Sequence, residues 1–236
     1  MSDEQDISPE RSDAIASVLR SLKEIVSIVM GLALTNCVMV LITRGHYTSV
    51  TALSALPLSS VLYSLVLIIN IVRFYHGNLR HMDTLYGHSA RKVMSSSHGH
   101  GPAPLGGLGI DFMVVFLQSI LFAVISFYTS PRREFLLLFM ILLAFDLVWN
   151  IVTQQVARDA KDMAHQKRWM LNNVVGVIVM LVMYLEYKQH HQELFLNYGA
   201  AALAVNTLID FVLNWKFYFP ATGASTGPDV TVPVSS

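Results

Sequence analysis

Two carboxylates stand where carboxylates are costly. Asp146 and Asp210 fall inside long apolar runs, and Asp111 stands at the edge of another. An ionised side chain near a bilayer centre costs about 2.5–3.5 kcal/mol on insertion scales, so it has to face protein or water. Steps of three and four residues extend each position into a helical stripe. One stripe reads Asp146, Asn150, Thr153, Gln154 and Arg158, and a second reads Asn206, Asp210 and Asn214. A third reads Asn70, Arg73, His76 and Arg80. Acids and amides aligned in this way can line a path for a small cation. The candidate path holds Asn70, Asp146, Asn150, Asp210 and Asn214. The same residues can instead bond across helices, with Arg73 neutralising one Asp.

Two other patterns carry chemistry. Ser27, Gly31 and Thr35 recur every four residues. Small side chains at that spacing let another helix approach closely, or line a narrow pore with hydroxyls and exposed backbone. Arg73, His76 and Arg80 share a helical face that suits phosphate head groups or a soluble anion, or anchors the chain at the interface. His88, His98 and His100 have no Cys or carboxylate at ligand spacing, so no metal site is expected. No His lies inside an apolar run to hold a haem, and no cofactor is expected. The P-loop and H-E-x-x-H signatures are missing. Phe145 precedes Asp146, Ile209 precedes Asp210, and no glycine flanks either acid, unlike an intramembrane aspartyl protease. The expectation is that the chain is not an enzyme.

The elements that must position these residues follow from composition. The chain has 236 residues, of which 53% are hydrophobic and only 14% charged. A soluble domain carries roughly 25% charged residues. Sixteen basic and sixteen acidic residues cancel, so there is no basic excess for nucleic acid. Cys37 stands alone, which excludes a disulfide scaffold. Six apolar runs cover residues 25–42, 57–72 (with 50 as an alternative start), 110–128, 135–152, 169–185 and 194–213. Each approaches the roughly 20 residues that span a bilayer as a helix. The fold class is therefore all-α: a polytopic integral membrane bundle of six transmembrane helices, arranged as three helical hairpins. Residues 1–19 read as a flexible acidic tail, 20–219 as the membrane domain with a flexible loop over 87–109, and 220–236 as a disordered tail. Of the 16 Lys and Arg residues, only Arg44, Arg132, Arg133 and Lys188 fall on the side opposite the termini. The basic excess places both termini in the cytoplasm, with the plasma (inner) membrane as the expected location. Residues 69–72, 145–148 and 209–212 share a polar residue at one position, a weak hint of threefold internal repetition.

The first run reads Leu22-Lys23-Glu24-Ile25-Val26-Ser27 and ends Leu32-Ala33-Leu34-Thr35. It resembles the first helix of the endolysosomal six-helix potassium-channel family and its bacterial relatives. Leu32-Ala33-Leu34-Thr35 is similar to that family's Ala-Ile-x-Ile-Thr run, and Phe74-Tyr75-His76 to its aromatic and His ending of the second span. Ile25-Val26-Ser27 stands where the family has Phe-Ser-Asp. The resemblance implies a homotetramer whose first helices line the pore, with Thr35 at the constriction. The leading expectation is a membrane protein that moves a small cation, as a channel or simple transporter. The alternative is a non-conducting sensor or scaffold that anchors a cytoplasmic partner through its basic, His-rich second loop.

Overall fold

The computed structural model describes residues 9–44, 57–82, 105–156 and 164–219. These form α1 (Pro9–Arg44), α2 (Leu58–Met82), α3 (Leu105–Ile125), a 3-10 turn (Ser126–Tyr128), α4 (Arg133–Val156), α5 (Ala164–His190), α6 (Glu193–Leu213) and the short α7 (Trp215–Tyr218). The described residues contain no strand. Six helices are long and apolar enough to cross a membrane: Ser17–Thr43, Leu58–Met82, Leu108–Tyr128, Arg133–Thr153, Gln166–His190 and Glu193–Leu213. Their outward faces expose Ile28, Leu32, Val148, Leu171 and Val212. Apolar surface so extensive belongs against lipid, and the protein is an integral membrane helix bundle.

Successive helices pair as hairpins, α1 with α2, α3 with α4 and α5 with α6. Around the bundle the neighbours run α1, α2, α6, α5, α4, α3 and back to α1. The first hairpin thus circles in the opposite sense to the other two. A rotational threefold does not relate them, and the likeness of 69–72, 145–148 and 209–212 marks only a common polar level. The α5–α6 turn is two residues long and puts His191 at φ 54°, with its N–H donated to the Tyr187 carbonyl. That αL residue closes the helix and returns the chain at once.

Three expected boundaries shift. α1 begins at Pro9 rather than at residue 20, because proline suits the first helical turn, where its missing N–H has no role. Leu19 then packs with Met82 and Leu108, which ties α1 to the end of α2 and the start of α3. The loop expected over 87–109 overlaps α3, which starts at Leu105. Its remainder, with His88, His98 and His100, and the tail from 220 lie outside the described residues. α2 continues ten residues past Val72, because Arg73, Gly77 and Asn78 turn inward.

The core on the side away from the termini is aromatic. Tyr63 meets Phe135 edge-on at 4.7 Å, and Phe122 stacks T-shaped against both Phe74 and Phe139. Two glycines let helices approach near the polar level. A Cβ on Gly77 would overlap the Trp169 ring, and one on Gly176 would lie 2.9 Å from Leu143 Cδ1. Trp169 cannot yield, since Phe74 and Tyr218 pack its ring at 5.8 and 6.0 Å. Gly77→Ala is therefore expected to cost about 1–3 kcal/mol through overpacking. Thermal unfolding in detergent checks this, and an unchanged midpoint would show that Trp169 has room to move.

Candidate functional site

The sequence placed Asp146 and Asp210 on separate stripes, and the fold brings them into one buried cluster. It lies at the end of the bundle that holds the C-terminal parts of α2, α4 and α6 and the N-terminal part of α5. Helical periodicity turns Asn70 and Arg73 of α2 inward, together with Asp146 of α4, Asn172 and Asn173 of α5, and Asn206 and Asp210 of α6, with Asn214 at the C-cap of α6. Each is below a tenth exposed, and Arg73 and Asp210 are fully buried.

Arg73 is the hub. Its Nε donates to Asp210 Oδ2 at 2.9 Å, and its Nη2 donates to Asn173 Oδ1 at 2.8 Å. The guanidinium also lies 4.7 Å from the Trp169 ring centre and 5.3 Å from that of Phe74, a cation–π cradle. Asp210 receives two further bonds, from Asn214 Nδ2 to Oδ1 at 2.9 Å and from the Tyr218 hydroxyl to Oδ2 at 2.5 Å. Burial raises the Tyr218 phenol above its ordinary pKa, which keeps it a donor.

Asp146 sits on the other side of Asn173. Its Oδ2 accepts from Asn173 Nδ2 at 2.6 Å, Trp169 Nε1 at 2.5 Å and Asn150 Nδ2 at 3.1 Å. Its Oδ1 accepts from Gln118 Nε2 of α3 at 2.7 Å, and Gln118 Oε1 accepts from Asn78 Nδ2 of α2 at 2.8 Å. Four N–H donors on one carboxylate suit its ionised form, which only accepts. Asn173 therefore joins the two acids, taking a bond from Arg73 and giving one to Asp146. One turn away, the Thr207 hydroxyl donates to Asn70 Oδ1 at 3.0 Å. With its amide oxygen assigned toward Arg73, Asn172 pairs with Asn206 through two 3.0 Å bonds. The cluster holds two carboxylates and one guanidinium, one negative charge in excess when all are ionised.

Arg73 departs from the expected head-group or anion contact. It points into the bundle because Asp210, level with it on α6, compensates its charge there. The rest of that face meets the C-terminal segment: His76 packs 6.5 Å from the Tyr218 ring and 5.6 Å from the Phe219 ring. Arg80 Nε donates to the Phe217 carbonyl of α7 at 3.3 Å.

The small-residue stripe is not part of the cluster. Ser27 shares a 2.8 Å hydroxyl bond with Tyr75. Gly31 and Thr35 face outward, with nothing within 4 Å of a Cβ on Gly31 and the Thr35 hydroxyl bonded to the Gly31 carbonyl. They line no path within a single chain.

Trp169, Asn173, Gln118 and Tyr218 complete the site without having been singled out from sequence. The spacing Trp169, Asn172, Asn173 was a usable signal, since it repeats on α5 the three-and-four step already seen on the even helices. No family model, curated protein or solved structure matches the chain.

Proposed function

We propose that this membrane protein moves a small cation as a simple transporter, with the Asp146–Asn173–Arg73–Asp210 network as its working site. One observation carries the reading: two carboxylates and a single guanidinium are buried together inside a bundle of membrane-spanning helices. Ionisable groups at such depth are expensive and mark ion pathways and relays. One arginine between two acids is a two-position element, because it can pair with either. A cation arriving at one acid releases the arginine to the other, and this couples binding to helix movement. With Arg73 counted inside the bundle, the remaining basic residues still favour the side of the termini, which supports cytoplasmic termini and a cytoplasmic-side network in the plasma (inner) membrane.

The test is cation flux into liposomes holding the purified protein. Asp210→Asn is expected to abolish flux while leaving the fold intact. Its oxygen can keep accepting from Arg73 and Tyr218, and its amide can donate to Asn214 once that amide turns over. Wild-type protein that passes no cation under any pH gradient or voltage overturns the proposal.

The channel reading rests on a different observation. Only 22% of the α1 span is buried, the least of the six, and Gly31 and Thr35 face outward. In a homo-oligomer, tetrameric by the resemblance, these faces line a central axis. Thr35→Val is then expected to change selectivity between potassium and sodium. Unaltered selectivity, or a monomer in liposomes that still conducts, removes this reading.

A further inference from the structure

Resting on the transport reading, we infer that the cation is the proton, and that it crosses along the seam between α2 and α6, past Tyr63 and the Asn70–Thr207 pair, to Asp210. Two observations lead there independently.

The first is the state of the carboxylate lone pairs. A carboxylate offers about four acceptor positions. Asp146 has four N–H donors on its oxygens, and Asp210 has Arg73, Tyr218 and Asn214. One acceptor position on Asp210 Oδ1 remains. A dehydrated metal cation needs a shell of several oxygen ligands, whereas a proton needs one. Among the described residues no group of three or more His, Cys, Asp and Glu could hold a metal ion.

The second is a row of buried polar atoms. α2 and α6 run in the same direction side by side. Outward from Arg73 and Asp210, the next level is the Asn70–Thr207 bond. Two turns further along the same face of α2 stands Tyr63, fully buried, with its hydroxyl lacking any hydrogen-bond partner. Side chains lean toward the helix N-terminus, so the Tyr63 hydroxyl reaches the level of the first turns of α6. There the buried Asn197 Oδ1 also lacks a partner. Buried polar atoms without partners are rare and call for a reason. At the Asp210 end, Arg73 Nη1 and Asn214 Oδ1 are likewise without partners, and both belong to side chains that bond Asp210. The seam therefore has unpaired groups at each end and a paired level between them.

The step balances without any other reactant. A hydronium ion gives its proton to Asp210 Oδ1, an O–H bond forms, and water leaves. Turning of the Asn214 amide presents its free oxygen to the new O–H. Arg73, no longer facing an anion, turns toward Asp146 through Asn173, and release of the proton to water at the far end reverses both moves. The charged and titratable groups that face Asp210 are Arg73 from α2, Asp146 from α4 and Tyr218 from α7. α5 presents Asn172, Asn173 and Trp169, with Arg168 outside them on the Leu213 carbonyl. His76 packs behind Tyr218, and Asp111 of α3 is buried toward the same end.

The full chain in phosphatidylcholine–phosphatidylglycerol vesicles loaded with a pH-sensitive dye tests this. A potassium gradient with valinomycin supplies the voltage. Wild type is expected to acidify the lumen, and Tyr63→Phe to slow acidification about a hundredfold or more, the lower reach of a positioned proton donor. Tyr63→Phe removes a hydroxyl that bonds nothing, so its unfolding temperature is expected to stay at or above that of wild type. Wild-type acidification rates in Tyr63→Phe overturn the route. Sodium or potassium flux without any change of luminal pH overturns the proton as cargo and leaves the transport reading standing, whereas no cation flux at all overturns both.

Discussion

Arg73→Met is expected to destabilise the bundle by about 3–5 kcal/mol, the range for breaking a buried pair by removing one partner. The physical reason lies in what remains. Asp210 keeps only Tyr218 and Asn214 as donors, Asn173 Oδ1 loses its donor, and two carboxylates share a buried site with no countercharge between them. Methionine restores the packing volume but neither charge nor donors. The double variant Arg73→Met with Asp210→Asn is expected to recover at least half of the loss, because replacing both members of a buried pair is far milder than orphaning one. Arg73→Lys should fall between. It keeps the charge, yet one ammonium cannot meet Asp210 and Asn173 along the two divergent directions of Nε and Nη2, nor lie flat on Trp169. Denaturant or thermal unfolding in detergent, followed by circular dichroism, orders the variants. A single variant as stable as the wild type would falsify the hub role of Arg73.

The same residue shows where sequence reading reached its limit. An apolar run is scored residue by residue, so the second span ended at Val72, in front of a charge. Whether a charge ends a span depends on its partner, and the pairing of Arg73 with one Asp stood only as an alternative because Asp210 lies 137 positions away, where no local pattern singles it out. Asp146, Asn206 and Asp210 were legible for the opposite reason. Each stands in an apolar run, where lipid forbids it to face outward, so the interior was the only place left. Gln118, Trp169 and Asn173 were not. One amide in a span is tolerable anywhere, and a Trp near a span end ordinarily reads as an interface anchor. Ser27, Gly31 and Thr35 show the converse. Their spacing was correctly helical, but spacing does not say which helix, if any, covers the face, and Gly31 and Thr35 are left uncovered in this chain. The count of helices and their pairing into hairpins needed only run length and short connections, whereas the reversed sense of the first hairpin depends on packing alone.

Asp146 supplies the second large effect, and there the direction of the hydrogen bonds decides more than the charge. Asp146→Leu leaves the N–H groups of Gln118, Trp169, Asn173 and Asn150 facing carbon. A buried donor without a partner costs about 1–3 kcal/mol, although interhelical bonds within membranes average nearer 0.6. Four of them together make a loss of about 4 kcal/mol or more the expected outcome. Asp146→Asn should be far milder, near about 1 kcal/mol, because the network can be rewired by amide rotation. The new amide nitrogen takes the Oδ1 position, Gln118 turns to present Oε1, and Asn78 turns to accept from Gln118 in place of donating to it. The relay ends at Asn78, which at 9% exposure sits at the edge of the buried cluster and can pass the mismatch outward. The Oδ2 position keeps its oxygen and its bonds from Trp169, Asn173 and Asn150. Gln118→Glu alone sets a second carboxylate against Asp146 and should destabilise strongly. The same change in the Asp146→Asn background gives the new amide an acceptor and returns the negative charge to the site, so the double variant should be more stable than Gln118→Glu alone. If Asp146→Asn unfolds as readily as Asp146→Leu, the rewiring does not occur and the carboxylate's charge is what holds α3, α4 and α5 together at this level.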